Sequence, residues 1–263
     1  AGYGMLLPGF SPEPDLLGVN LSNSAPGLGF VFGDQRDIKW EAATNGWITP
    51  DTILNNPYMR KSTESLSYKV NADILGAIRI DIDGDRIHAS NFRSYFRNVS
   101  SDFSNPEFQE FTPMDGGNFS ISYSIIKTSF AKSDTADVSE TFITFLNSRK
   151  EIAYRLANEN KSWDHEEVYD SLAGDYFPRG YTSTSQPVLY YAFLSAYSGQ
   201  GASSVSIASP FPKFPIPNWR ITFSGLTKIK SIEKLFRTVN ITHGYRSMLS
   251  IATWATNVNF DPE

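Results

Sequence analysis

The chain contains no cysteine, and this absence excludes disulfide bonds and cysteine-based zinc or iron–sulfur sites. No apolar run approaches the roughly 18 residues that a transmembrane helix needs. Two signatures of hydrolytic enzymes are also missing. No two histidines stand four residues apart beside a glutamate, and there is no Gly-x-Ser-x-Gly turn that would carry a nucleophile. We therefore predict no enzyme activity, no catalytic residue and no cofactor-binding residue.

Metal-binding patterns are equally weak. Asp81-Ile-Asp-Gly-Asp85 invites a calcium interpretation, but a calcium loop needs glycine at its sixth position and glutamate at its twelfth. Gly84 falls fourth here and Phe92 falls twelfth. The histidines are too far apart in sequence to indicate a shared site: His88, His165 and His243. We predict no metal site, and we interpret the aspartates as part of the polar face of a strand.

The charge balance excludes one class of partner. There are 28 acidic and 23 basic residues, and the net charge of −5 argues against a nucleic-acid partner. The mean hydropathy of −0.30 is that of a water-compatible chain. Membrane-spanning strands give the same average, because polar and apolar residues alternate along them. Aromatic residues make up 14% of the chain, which suits either a β-rich soluble domain or a barrel with aromatic girdles.

The longest periodic pattern lies between Arg237 and Phe260. Apolar residues stand two or four apart and alternate with polar or small ones, which is typical of a strand with two different faces. An unbroken strand of this length would reach about 70 Å, whereas ordinary strands have about 5–6 residues. The run is therefore either an unusually long strand or two strands with a hidden break.

Changes in composition and in the period of the apolar residues divide the chain into four segments. Residues 1–60 form an irregular Gly/Pro-rich segment in which long helices and central strands are excluded. Residues 61–130 hold strands with a hairpin at 75–77, and a polar loop is predicted at 98–116. Residues 131–217 form a helical insertion, with helices at 138–158 and 187–198. Residues 218–263 return to strands, with a short amphipathic helix at 225–236.

Each predicted strand has one apolar and one polar face, and two architectures satisfy this pattern. The first is a soluble β-sandwich module that binds glycans or cell-surface protein. In that case Leu66, Ile80, Ile121 and Ile241 share one dry core. The second is a transmembrane barrel. Three features favour it: the long strands, the contrast between short and long connections, and the aromatic residues on the apolar faces. About five strands are visible, and the smallest barrels need 8, so a barrel would require further polypeptide. Both chain ends look cut, as expected for a fragment or a processed chain.

Eight short stretches, taken in order, resemble one family. They are Phe30-Val-Phe-Gly33, Gly46-Trp-Ile-Thr-Pro-Asp-Thr52, Ile78-Arg-Ile-Asp81, Gly117-Asn-Phe-Ser-Ile-Ser122, Phe142 to Leu156, Ala192-Phe-Leu-Ser-Ala-Tyr-Ser-Gly199, Pro217-Asn-Trp-Arg-Ile-Thr222 and Thr242-His-Gly-Tyr-Arg-Ser247. Together they are similar to the C-terminal part of the SprA family, named Sov in some species. These proteins are the giant outer-membrane translocons of the type IX secretion system of Bacteroidota. The resemblance spans about residues 25 to 260.

The resemblance implies a fold and a set of partners. The fold is mainly β: a segment of a very large antiparallel transmembrane β-barrel with helical insertions between strands, located in the cell outer membrane. The implied function is the export of folded cargo proteins, which supports secretion and gliding motility. The implied partners are outer-membrane lipid, secreted cargo proteins, shuttle and plug proteins of the secretion system, and the remainder of the barrel polypeptide. The family chain is many times longer, so this segment cannot form the pore alone.

Overall fold

The structure is a computed structural model that describes residues 1–15, 19–132, 138–161, 163–207 and 211–257. The chain is mainly β. Its strands are β1 (Gly2–Leu6), β2 (Tyr58–Ile74), β3 (Ile78–Asn98), β4 (Phe108–Ser122), β5 (Glu167–Asp170), β6 (Asp175–Pro178), β7 (Asn218–Phe223), β8 (Ile241–Tyr245) and β9 (Met248–Asn257). Its α-helices are α1 (Leu28–Val31), α2 (Lys39–Thr44), α3 (Glu140–Glu159), α4 (Gln186–Ser198) and α5 (Lys230–Glu233), and a 3-10 helix covers Gly225–Lys228.

Within the described residues, seven strands form one antiparallel sheet. The order is β1-β2-β3-β4-β9, while β7 pairs with β3 and β8 pairs with β7. β5 and β6 form a separate two-stranded hairpin. β2 has 17 residues and β3 has 21, so β3 extends over about 70 Å. Strands of this length exceed what the core of a small domain needs, as the sequence pattern had indicated.

The hairpin predicted at 75–77 is confirmed. Leu75 and Gly76 adopt left-handed φ angles of 56° and 60°, and the Asp73 carboxylate accepts a hydrogen bond of 3.0 Å from the Gly76 N–H. A residue with a Cβ pays a steric cost in this region. The structure places Leu75 there with 90% of its surface exposed.

The run between Arg237 and Phe260 consists of two strands rather than one. β8 ends at Tyr245 and β9 begins at Met248, so the break falls at Arg246 and Ser247. The reason is visible in the hydrogen bonds of Ser247. Its N–H donates to the Asn218 side chain (2.9 Å), and its carbonyl accepts from the Tyr123 N–H (3.2 Å). Residues 258–260 of the predicted strand lie outside the described residues.

Other predictions need correction. The loop predicted at 98–116 is wrong from residue 108 onward, because β4 begins there and pairs with β3. Proline and polar residues favoured a loop, but Thr112 takes a φ of 45° beside Pro113, an irregularity of the kind that lets a strand accommodate proline. Residues 28–31, within the segment predicted to be irregular, form a helical turn.

The helical predictions are largely confirmed. α3 and α4 lie where the 3.6-residue period placed them, and α4 ends at Gly199, whose φ of 66° is the left-handed cap expected from glycine. The single helix predicted at 225–236 is instead a 3-10 turn followed by the four-residue α5. The β5–β6 hairpin inside the insertion was not predicted. In the described part of the chain, no helix combines the length and the apolar character needed to cross a membrane.

The chain divides into two compact units. The first contains residues 1–67, 85–120 and the described part of 250–260, and the second contains residues 68–84 and 121–249. The core of the first unit joins α2 to the start of β2 and the end of β3 through buried side chains: Ala25, Ala42, Trp47, Ile48, Tyr58 and Phe96. The second unit is packed around α3 and α4, whose buried residues include Ile152, Ala153, Val188, Tyr191 and Ala192.

Candidate functional site: a two-faced strand ladder

The most informative surface is the ladder formed by β3, β7 and β8 in the second unit. Residues directly opposite one another in an antiparallel pair lie on the same face of the sheet. One face, which we name the apolar face, has three rows: Ile78, Phe223 and Ile241; Ile80, Ile221 and His243; Ile82, Trp219 and Tyr245. The other, the polar face, has rows of Arg79, Thr222 and Thr242; Asp81, Arg220 and Gly244; Asp83 and Asn218.

β2 extends both faces. Asn71 on β2 donates a hydrogen bond of 2.9 Å to the Asp81 carboxylate, which places Asn71 on the polar face. Because side chains alternate along a strand, Val70 and Ile74 belong to the apolar face. The alternation predicted for these strands from sequence is therefore confirmed, since the pairing register aligns it across adjacent strands.

The apolar face is partly uncovered. Val70 is 54% exposed and Ile241 is 55% exposed, while the isoleucines of β3 are half-buried. Fully burying a side chain of this size contributes about 1.5–3 kcal/mol, and these residues forgo part of that contribution in the isolated chain. A contiguous exposed apolar surface marks a contact with another protein or a membrane.

Aromatic rings border this face. Trp219 and Tyr245 stack with ring centroids 4.8 Å apart and planes inclined by 27°. The Tyr245 hydroxyl accepts a hydrogen bond of 2.8 Å from the Ile125 N–H. Each ring therefore presents an apolar body, and Tyr245 also presents a polar tip that is already paired.

The polar face carries charges of both signs. The Asp81 carboxylate accepts from the Arg79 guanidinium at 3.2 Å and from Asn71. Lys69, Asp83 and Arg220 line a shallow concavity beside this pair. The rows of this face contain no apolar side chain. The described residues contain no group of three or more His, Asp or Glu placed to hold a metal ion.

The insertion leaves the sheet at the end of β4 and returns to it at the start of β7, and these two points are in contact. β4 ends at Ser122 and β7 begins at Asn218, and the Asn218 Nδ2 donates to the Ser122 Oγ at 3.2 Å. The Ile216 N–H donates to the Ser122 carbonyl at 2.9 Å. The Asn218 Oδ1 accepts from the Ser247 N–H, and Asn218 is 4% exposed. The buried Asn218 amide, at the start of β7, thus links the end of β4 at Ser122 to the break between β8 and β9 at Ser247. β4 ends at Ser122, ahead of residue 131, where the helical insertion was predicted to begin.

Gly84 and Tyr68 form a second fixed contact beneath the returning chain. A Cβ on Gly84 would lie 2.5 Å from the Tyr68 ring, so only glycine leaves space for this ring. Tyr68 stacks on Phe214 with centroids 5.8 Å apart, and its hydroxyl donates to the Pro215 carbonyl at 2.9 Å. The glycine that suggested a calcium loop therefore has a packing role.

The hairpin inside the insertion is held by a buried carboxylate. Asp170 is 8% exposed and accepts hydrogen bonds from the N–H groups of Leu172, Ala173 and Ser183. Hydrogen bonds from Ser183, followed by those from the other N–H groups, keep the pKa of Asp170 below its ordinary value. At the nearby exposed position 175, the ion pair with Lys150 lowers the pKa of the Asp175 carboxyl.

The three histidines that had been weighed as possible sites have different surroundings. His88 packs edge-on against Phe119 with centroids 5.9 Å apart. His165 contacts Trp163, and His243 is exposed within the apolar face. Of the four residues that a sandwich would bury together, Ile121 is 1% exposed and Ile80 is half-buried, whereas Leu66 is 41% exposed and Ile241 is 55% exposed. None of the four belongs to the three hydrophobic clusters found among the described residues.

No protein-family model matches the chain, and no curated protein is significantly similar to it. Sequence reasoning missed the roles of Asn218, Tyr68 and Gly84. Asn218 stood in a quoted motif, Pro217 to Thr222, but no local pattern indicates a side chain that joins Ser122 and Ser247.

Proposed function

We propose that this chain is a segment of a large transmembrane β-barrel in a bacterial outer membrane. The complete barrel acts without enzyme activity, as a channel that exports folded cargo proteins in type IX secretion and gliding motility. The observation that carries the proposal is the ladder of β3, β7 and β8. Its apolar rows are partly uncovered, with Ile241 and His243 exposed, and its opposite rows carry mainly charged, amide and hydroxyl side chains.

The apolar face supports lipid as its partner. In a barrel, outward residues contact hydrocarbon and inward residues contact water, with aromatic girdles at the two boundaries. Val70, Ile74 and Ile241 occupy positions that would contact hydrocarbon. The stacked Trp219 and Tyr245 suit a membrane boundary, where an apolar ring with a polar tip is favoured.

The strands at the edges of the sheet need pairing partners that the described part of this chain does not supply. β1 stands at one end of the strand order, and β8 and β9 stand at the other. In a bilayer every backbone N–H and C=O needs an internal partner, so edge strands must pair with additional strands. The remainder of the barrel polypeptide would supply them.

The polar face supports a wide aqueous path. Mixed charges and hydroxyl groups on neighbouring strands, among them Arg79, Asp81, Arg220 and Thr222, keep a surface hydrated without attracting one sign of charge strongly. Such a lining suits folded cargo of varied composition. The resemblance of the eight ordered motifs to the SprA family supports the type IX secretion system as the system to which the barrel belongs. Shuttle and plug proteins of that system would then be its partners.

Two neighbouring arginine substitutions test the proposal in the full-length protein. Val70→Arg places a charge on the apolar face, whereas Asn71→Arg places the same charge on the polar face one residue away. We expect Val70→Arg to lower the free energy of unfolding in lipid by about 1–4 kcal/mol, because arginine on the lipid face costs about 2–4 kcal/mol at the bilayer midplane and less toward the interfaces. Asn71→Arg should change it by less than about 1 kcal/mol.

The comparison is sharp because both side chains are exposed in the isolated chain. If water covers both faces, arginine is tolerated equally at the two positions, and the proposal is then wrong. Urea unfolding of the reconstituted protein, followed by tryptophan fluorescence, measures the difference. Release of the full-length protein from the membrane without detergent would also contradict the proposal of a transmembrane barrel.

A further inference from the structure

Residues 225–237, which we name the basic apolar segment, combine uncovered apolar side chains with unpaired basic ones. Leu235 is 78% exposed, Phe236 58% and Ile229 50%. Four basic residues and one acidic residue leave the segment with a net charge of +3: Lys228, Lys230, Lys234 and Arg237 against Glu233. The four basic residues are exposed, and among the described residues no ion pair involves them.

The segment continues directly from the apolar face. It follows Phe223, the last residue of β7, and the Ser224 N–H donates to the Ala77 carbonyl at 2.8 Å. A Cβ on Gly225 would lie 2.5 Å from the Phe223 ring and 3.4 Å from the Ala77 Cβ. The chain therefore turns off the ladder tightly, beside the 75–77 hairpin, and the exposed leucine and phenylalanine lie about ten residues beyond this turn.

We propose that the basic apolar segment lies in the headgroup layer of an anionic phospholipid bilayer. Ile229, Leu235 and Phe236 enter the acyl boundary, and the three lysines bind lipid phosphates. This inference rests on the proposed function, because the ladder brings the segment to the membrane surface. It adds a lipid preference that the two-faced ladder does not require.

The chemistry of the segment favours this partner over another protein. Segments that lie in the membrane interface typically combine Lys/Arg, which contact headgroups, with Leu and Phe, which contact acyl chains. Lysine can extend its charged end to the phosphates while its methylene chain stays with apolar groups. Each basic residue near an anionic surface strengthens binding about fivefold.

The chain itself contains no cysteine, so a single introduced cysteine gives one labelled site once any cysteines in the rest of the full-length protein are replaced by serine. Leu235→Cys places an environment-sensitive fluorophore, nitrobenzoxadiazole, in the segment. Leu172→Cys is the matched control, because Leu172 is a leucine with 80% exposure on the β5–β6 hairpin, beside acidic residues. The labelled full-length protein is reconstituted in vesicles of phosphatidylcholine, with or without phosphatidylglycerol, and spin-labelled lipids quench the fluorophore by contact.

We expect quenching at position 235 that increases with phosphatidylglycerol, and no such response at position 172. Replacing Lys228, Lys230 and Lys234 by glutamine should lower the ratio of lipid-bound to free segment on the order of 100-fold in anionic vesicles, with a much smaller effect in phosphatidylcholine. Added inorganic phosphate should not reproduce the response, which distinguishes a bilayer from a free anion as the partner.

A third label, at Val70→Cys, separates this inference from the proposed function. Quenching at position 70 with none at position 235 overturns the inference and leaves the proposed function standing. If quenching at position 235 changes neither with phosphatidylglycerol nor with the lysine replacements, the proposed contact between the lysines and lipid phosphates is wrong. A lack of quenching at both positions overturns both.

Discussion

Asn218 is the residue whose replacement most directly tests how the ladder and the insertion are joined. In Asn218→Ala, the Ser122 hydroxyl loses the Nδ2 donor at 3.2 Å, and the Ser247 N–H loses the Oδ1 acceptor at 2.9 Å. Each lost hydrogen bond costs about 1 kcal/mol, and a buried N–H left without an acceptor adds about 1 kcal/mol or more. With Asn218 only 4% exposed, water cannot easily replace the amide. We expect a loss of about 2–3 kcal/mol in the free energy of unfolding.

Asn71→Ala is the matched control for this substitution. It removes an amide of the same size that makes one hydrogen bond, to Asp81, in an exposed position. We expect it to cost less than about 1 kcal/mol, since water can solvate Asp81. Urea unfolding of both variants, under identical detergent or lipid conditions, measures the two costs.

Hydrogen exchange separates a local effect from a general one. Asn218→Ala should raise the exchange rate of the Ser247 amide well above the change seen in α3, because that amide loses its acceptor. If Asn218→Ala costs no more than Asn71→Ala, or if the Ser247 amide stays protected, the joining role assigned to Asn218 is wrong.

Two further substitutions test packing and protonation elsewhere in the chain. A Cβ at Gly117 would lie 2.0 Å from the Ala89 carbonyl oxygen, so Gly117→Ala should lower the free energy of unfolding by about 1–3 kcal/mol. Gly4→Ala, which has open space at the Cβ, should leave it unchanged or raise it slightly in the same urea titration. Asp170→Ala should cost about 2 kcal/mol at pH 7, because three N–H groups lose a charged acceptor. Because folding lowers the pKa of Asp170 from 3.8, its contribution is complete above that value and disappears as pH falls below it. Unfolding measured from pH 7 to pH 3 should therefore show the variant and the parent converging, and a constant difference would contradict the assignment.

The sequence by itself determined the elements whose residues alternate with a single period. The hairpin around Leu75, the strand at Trp219, and helices α3 and α4 follow from local patterns, since the two-residue and 3.6-residue periods are properties of neighbouring residues. The two faces of the ladder were predictable for the same reason. The alternation of apolar and polar residues assigns two faces to each strand separately. The pairing register then aligns the apolar faces of neighbouring strands.

Tertiary structure alone decided where those patterns stop. The Arg237 to Phe260 run keeps one strand period from Val239 to Ile251, yet it breaks at Ser247 because that backbone is hydrogen-bonded to Asn218 and Tyr123, which are distant in sequence. β4 extends through Pro113 because pairing with β3 outweighs the local preference for a loop. A periodic pattern reports which side of a strand is apolar. Contacts between distant residues decide how long the strand is and which element joins it.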